Sequence, residues 1–355
     1  MTREELEAKV CAGETCTRLD LAGADLAGAA LGGGMFLDCR FEGTDLSGAN
    51  LTDVVISGSS LCGARLDGAR MRRALLSDVD LGETTLSRTD LSGGRWAGCR
   101  ARDCRLEDVD AIAITMHDVD LSRATLRNAH LDTATLMSVT LSEARFEDVT
   151  LRQSVLHEID LTSLRAPRLN LEHVVFNDCD LGGLDLSGRN LKLTQLIACR
   201  LAGANLRGAD LTQVNFHRAD LTDVCLAKSA ARMAIFTEAT LHRTDARGAD
   251  LRGALFEQAD AVAVDFRDAD LTEAIFIRAE ARGCRFGGAR LTYADFSHAD
   301  VSASDFTGAR MTRARFHRIV DRDTVFGPER SLALGDDPAL ARAEAFRRPP
   351  PRSPS

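Results

Sequence analysis

Along this 355-residue chain a large apolar side chain recurs at every fifth position. The series from Leu21 to Phe316 holds phase through 60 positions, none of them polar. Leu fills 34 and Phe 13, and the rest are Ala, Met, Ile, Trp or Val. Two residues before each, the side chain is small: 53 of 60 are Ala, Gly, Ser, Thr, Cys or Val. A period of five suits neither regular element. On an α-helix it advances the side chain by roughly 500°, and on a straight strand it alternates faces. Only a chain that turns a corner every five residues keeps the whole series on one axis. Four such sides make a square coil of about 20 residues. The series then predicts about 15 coils stacked ~4.8 Å apart, a rod of roughly 70 Å.

The Phe positions support that coil. Phe176, Phe216, Phe236, Phe256, Phe276, Phe296 and Phe316 lie multiples of 20 apart. Phe266, Phe286 and Phe306 make a second column ten residues out of phase, hence on the facing side. The four sides are named below by their first inward residue: Leu21, Leu26, Leu31 and Phe36. The repeat reads literally as Ala24-Asp25-Leu26, Ala49-Asn50-Leu51, Ala204-Asn205-Leu206, Ala209-Asp210-Leu211 and Ala269-Asp270-Leu271. These units resemble the A(D/N)LXX consensus of the pentapeptide-repeat proteins over residues 20–320. The resemblance implies an all-β solenoid, a right-handed quadrilateral β-helix. It says little about function, because one fold hosts many roles.

Stacked coils leave open edges that need covering. Residues 1–19 read as an N-terminal capping segment: Thr2 and Glu5 make a capping box, Leu6 and Val10 an apolar face, and Gly13 a stop. The solenoid is assigned to 20–320. Residues 321–355 read as a short helix and a tail, the five-residue phase stopping after Phe316. Asp337 is the expected N-cap, with Pro338 at the first helical position and Leu340, Ala343 and Phe346 on one face. PPPRSPS is disordered by composition. The small-residue rule fails mainly at Ile159, Leu164, Leu169, Leu184 and Arg189, near Pro167, the only Pro of the solenoid. A harmless bulge with Arg189 pointing outward is the expectation.

Composition narrows the function classes. A net charge of −9 lacks the basic footprint of a general nucleic-acid binder. MTREELEAKV is neither a signal peptide nor a membrane span. Ten Cys with no CxxC pair suggest a reducing cytoplasm and no zinc ribbon. HExxH, Walker A, GxSxG and Rossmann patterns are absent, so no catalytic, metal or cofactor residue is expected. Gly32-Gly33-Gly34 reads as a turn. His117, His157, His217 and His317 share one outward position at least two coils, about 10 Å, apart, and read as surface imidazoles. Cys39, Cys99, Cys104, Cys179, Cys199 and Cys284 fill small inward positions as compact apolar residues. Cys179 and Cys199 lie on adjacent coils.

Two sides stand out. Outward positions of the Leu21 side hold 14 acids and 7 bases, a net of −7. Acids line it at Asp80, Asp120, Asp160, Asp180, Asp220, Asp260, Glu280 and Asp300. The Phe36 side instead presents Met35, Leu37, Val55, Leu75, Met137, Val155, Val175, Ile197, Ile235, Leu255, Ile275 and Ile277. An apolar stripe along one side suggests a covered surface. The leading reading is therefore a non-enzymatic scaffold binding a protein partner, or a second copy of itself, along that side. A DNA-mimic inhibitor of DNA gyrase, as in the quinolone-resistance branch of the family, is the alternative that the resemblance implies. Against it, −7 over roughly 70 Å is far sparser than the one charge per about 1.7 Å of duplex DNA. The stretch LEAKVCAGETC and the Phe-rich length also resemble accessories of type VI secretion systems. Neither direct nucleic-acid nor membrane binding is expected.

Overall fold

The computed structural model describes residues 1–164 and 171–345. Leu169, Pro167, Phe346 and the tail PPPRSPS lie outside the described residues. The molecule is a four-sided β-solenoid of about 15 turns with two short helices. Every position of the five-residue series from Leu21 to Phe316 is buried, apart from Ala166, which is outside the described residues.

The backbone explains the period. The residue before each inward side chain pairs in parallel with its equivalent one coil on, as in Asp20 with Arg40 and Arg40 with Ser60. The inward residue donates to the next coil, Leu21 N–H to the Arg40 carbonyl at 2.8 Å. A turn then closes through Ala24 N–H to the Leu21 carbonyl at 3.0 Å. Two residues past nearly every described inward position the chain enters the left-handed region, as at Gly23 (φ 66°) and Asp38 (φ 54°), and the corner is made.

The sides are unequal. On the Phe36 side ten three-residue strands, from Thr15–Thr17 to Gln195–Ile197, form one in-register parallel sheet. Elsewhere most coils touch through single bridges, except for a three-stranded patch of Arg105–Glu107, Thr125–Arg127 and Arg145–Glu147 on the Leu26 side.

The aromatic columns form as the spacing predicts. Phe236, Phe256, Phe276 and Phe296 stack in near-parallel steps of 4.7, 4.5 and 4.6 Å. Phe266, Phe286 and Phe306 stack opposite, at 5.1 and 4.5 Å. The two columns meet edge to face, for example Phe256 on Phe266 at 5.8 Å and 84°. At the small positions, buried hydroxyls donate to carbonyls one coil back: Thr44 Oγ1 to Leu21, Thr194 Oγ1 to Leu171 and Ser304 Oγ to Ala281, at 2.7, 2.9 and 2.7 Å. Most buried Thr and Ser beside the axis are tolerated because they find an acceptor in this way; Ser229 Oγ is an exception.

Both ends are covered. Helix α1 (Arg3–Cys11) has the capping box at Thr2 and Glu5 and buries Leu6 and Val10. Arg3 donates to the carbonyls of Ala27 and Gly28 at 2.7 and 2.8 Å, and Glu7 Oε1 accepts from Ala30 N–H at 2.8 Å. At the other end the structure departs from the sequence reading. The five-residue phase runs on past Phe316, with Val325 and Phe326 pairing to Asp305 and Phe306. Asp321 holds the intervening inward position but is exposed, which hid the last half coil from the apolar pattern. A 3-10 turn, Pro328–Leu332, places the Arg330 guanidinium 4.8 and 5.2 Å from the Phe316 and Phe326 rings, closing the columns. Helix α2 (Pro338–Ala345) follows, capped by Asp337 Oδ1 on the Ala339 and Leu340 N–H groups. Leu340 is half-buried and Ala343 exposed, so among its described residues α2 buries no apolar side chain.

Around the irregular segment Ile159 and Leu164 are buried, while Leu184 and Arg189 are half-buried. The ladder continues past Arg189, whose carbonyl accepts from Asp210 N–H at 2.9 Å. Among the described residues no helix is long and apolar enough to cross a membrane.

Candidate functional site

Two faces stand out in the sequence, and the solenoid assembles each into a column. The acidic positions of the Leu21 side precede inward residues, where the backbone pairs between coils. Their carboxylates mostly fold back onto the turn. Asp80, Asp120, Asp160, Asp180, Asp220 and Asp300 each accept the N–H two residues on, at 2.8 to 3.0 Å. Asn50 and Asn205 make the same bond, at 3.3 and 3.1 Å, so an uncharged amide does the job as well. Basic groups also interrupt the column: Asp180 pairs with Arg200 at 3.0 Å, Asp120 with Arg102, Glu280 with Arg282, and Asp260 lies 2.7 Å from His242. Burial pushes the Asp120 carboxyl up, but hydrogen bonds from Ser122 and Arg102 hold it below the ordinary carboxylate value. For Asp160 the Thr162 hydroxyl and N–H hold it down.

The apolar column lies on the Phe36 side, in the register Met35–Val55–Leu75–Arg95–Thr115–Thr135–Val155–Val175–Gln195 and then Asn215–Ile235–Leu255–Ile275–Asp295–Arg315–Leu334. The expected continuous stripe is thus three patches. Arg95, Thr115 and Thr135 break it once. The Gln195–Asn215 amide pair, 3.0 Å apart, breaks it again. Met35, Leu75 and Met137 are exposed, and Leu37, Val55, Val155, Val175, Ile197, Ile235, Leu255, Ile275 and Ile277 are half-buried.

The third patch is larger than the apolar spacing suggests. Met233 and Tyr293, at corner positions beside the column, are 58% and 52% exposed, and Leu334 at its end is 50% exposed. A shallow depression joins Ile275, Tyr293 and Leu334 to the ion pair of Asp295 with Arg315 at 2.9 Å. Corner positions read as turns in the sequence, so Met233 and Tyr293 do not stand out there. The signal that could have found them is chemical: neither has a backbone reason to occupy a left-handed site (φ 54° and 60°).

The His column is corrected at one member. His317 is fully buried because the segment after Phe326 folds back over it, with Asp337 N–H donating to its Nδ1 at 3.0 Å. The inward cysteines are buried thiols. Cys284 Sγ donates to the Ala261 carbonyl at 2.8 Å, and burial raises it to about 12. Cys199 is raised by the neighbouring Cys179 thiol and by burial, so it is not poised as a nucleophile.

No curated protein matches the chain. Among solved structures it is similar to HetL, a pentapeptide repeat protein involved in heterocyst differentiation regulation, from the cyanobacterium Nostoc. That match has 22% identity over 61% of this chain and 89% of the other, with a TM-score of 0.33. A pentapeptide repeat protein of the Arabidopsis thaliana thylakoid lumen gives 31% identity over 28% of this chain and 66% of the other, with a TM-score of 0.23. QnrB1, a plasmid-mediated fluoroquinolone resistance protein, gives 18% identity over 69% and 91%, with a TM-score of 0.25. The pentapeptide-repeat model itself matches in 8 copies, over residues 20–58, 56–93, 116–153, 190–227, 249–288 and 284–319. With coil, turn and inward columns all in place, the chain belongs to the pentapeptide-repeat family.

Proposed function

We propose that this protein is a non-enzymatic scaffold that docks a protein partner on the Phe36 side, at the patch of Met233, Ile235, Leu255, Ile275 and Tyr293. The observation that carries the reading is the exposure of Met233 and Tyr293 beside a column of three stacked aliphatics. Covering each large side chain contributes on the order of 1.5–3 kcal/mol before the costs of association. DNA mimicry toward gyrase draws less support. Most acids of the Leu21 column are turn acceptors, and Arg100, Arg102, Arg200 and Arg282 lie among them.

Replacing Ile235, Leu255 and Ile275 together with Lys tests the surface, since these side chains point away from the axis. The expected result is a folded rod, by circular dichroism, that no longer captures the partner recovered with the native protein. A triple variant that keeps every partner refutes the docking surface. A variant that dissociates a self-assembled native form identifies a second copy as the occupant.

A further inference from the structure

A second cluster lies where the C-terminal segment folds back on the last coils. His298 and His317 come from adjacent coils, with ring centroids 5.4 Å apart and planes at 83°. Glu344 reaches them from α2. Its Oε1 lies 2.9 Å from His298 Nε2 and its Oε2 lies 3.4 Å from His317 Nε2. One ligand atom from each residue can be chosen so that all three fall within 4.8 Å of one another.

We propose that His298, His317 and Glu344 form a binding site for a divalent transition-metal ion, with Zn²⁺ the ion that suits the donors best. Two imidazoles and one carboxylate are nitrogen and oxygen ligands of the kind zinc takes, with a fourth position left for water. A tetrahedral ion with bonds of about 2.0–2.1 Å holds its donors roughly 3.3–3.4 Å apart. The 3.4 Å between Glu344 Oε2 and His317 Nε2 matches that value, while the 2.9 Å contact to His298 Nε2 is made by the other oxygen, Oε1, and must open for a single oxygen to serve the ion. His317 is fully buried, whereas the His298 and Glu344 side chains are 30% and 27% exposed, so the ion has a solvent-side entry.

Two present contacts compete and must yield. Asp337 N–H donates to His317 Nδ1, and Arg318 Nη1 holds Glu344 Oε2 at 2.9 Å. Both partners lie on exposed residues, Arg318 and Asp337, which a small shift of the segment would release. The ion would then tie two coils to α2, a helix whose described residues bury no apolar side chain.

The test is a Zn²⁺ titration by calorimetry of the full chain without an affinity tag, after stripping with chelator. Co²⁺ absorption reports the coordination geometry. One ion per chain, a raised thermal midpoint and an intense tetrahedral Co²⁺ band are expected. His298→Ala and Glu344→Gln should each weaken binding at least ~10-fold. Arg318→Ala removes the competitor for Glu344 and should bind as tightly as the native chain or more so. No uptake by the native chain, or uptake unchanged in His298→Ala and Glu344→Gln, overturns the site. If either variant fails to fold, the native Co²⁺ spectrum and Arg318→Ala decide: a weak octahedral spectrum, or looser binding in Arg318→Ala, rejects it.

Discussion

At the scale of single residues, the corner is where this fold stores strain. Among the described residues, nearly every one two past an inward position is left-handed whatever its identity, and only some of these positions are Gly. Thr133 is the severe case, a β-branched side chain at φ 58°. Gly203 is the relaxed one, at φ 70° with open space for 4 Å around the point where a Cβ would stand. A left-handed conformation costs a branched residue roughly 1–2 kcal/mol, while Gly in the unfolded chain costs about 0.5–1 kcal/mol in entropy. Thr133→Gly is therefore expected to stabilise, and Gly203→Val, with the same two effects reversed, to destabilise, each by up to about 1 kcal/mol. Urea titration of both variants checks this. Loss of stability in Thr133→Gly would mean that the hydroxyl bond to the Asp132 carbonyl, 2.6 Å long, outweighs the strain.

At the scale of the repeating element, where Asp or Asn precedes an inward residue it mostly serves as a turn acceptor, and its charge is secondary. Asp120 shows how to separate the two. Its Oδ1 takes the Ser122 N–H at 2.9 Å, and its Oδ2 pairs with Arg102. Asp120→Ala loses both and should cost on the order of 1 kcal/mol at pH 7, as a lost helix cap does. Asp120→Asn keeps the turn bond and should lose less. Because the folded carboxyl is held below its ordinary value of 3.8, its charged-state contribution is complete above that pH. It fades as pH falls through the lower folded value. The native advantage over Asp120→Asn should thus be present at pH 7 and shrink below about pH 4. Unfolding curves at pH 7 and pH 3 test this, and a gap that widens in acid contradicts it. The role is legible in the sequence in one respect: a position that accepts Asp and Asn alike is not selected for charge. What the linear pattern withholds is the bond itself, which needs the φ and ψ of the turn.

At the scale of the whole molecule, the repeating middle is legible in the sequence and the C-terminal end much less so, for one physical reason. Sixty units repeat one set of contacts, so the period alone places Leu, Phe and the facing aromatic columns. A cap is used once and has no period. The N-terminal cap is still readable, because a capping box is a local signature. The C-terminal one combines Phe326, Arg330, His317 and Glu344 across long separations, with Asp321 breaking the apolar phase. Met233 and Tyr293 are hidden similarly, since corner residues of every chemistry share one backbone geometry. The caps are also where the molecule is most vulnerable. A solenoid presents the same edge at each coil, so an uncovered end is a template for another copy. Helix α1 blocks that edge with Leu6 and Val10 in its apolar contact and with Arg3 and Glu7 on the first coil's backbone groups. Replacing Leu6 and Val10 with Asp should detach the helix, leave the coils intact by circular dichroism and permit end-to-end association. Light scattering should then show mass rising with concentration in the variant more steeply than in the native chain. A variant whose mass stays at that of the native chain over the same range would show that the first coil is self-protecting and that α1 serves only to stabilise it.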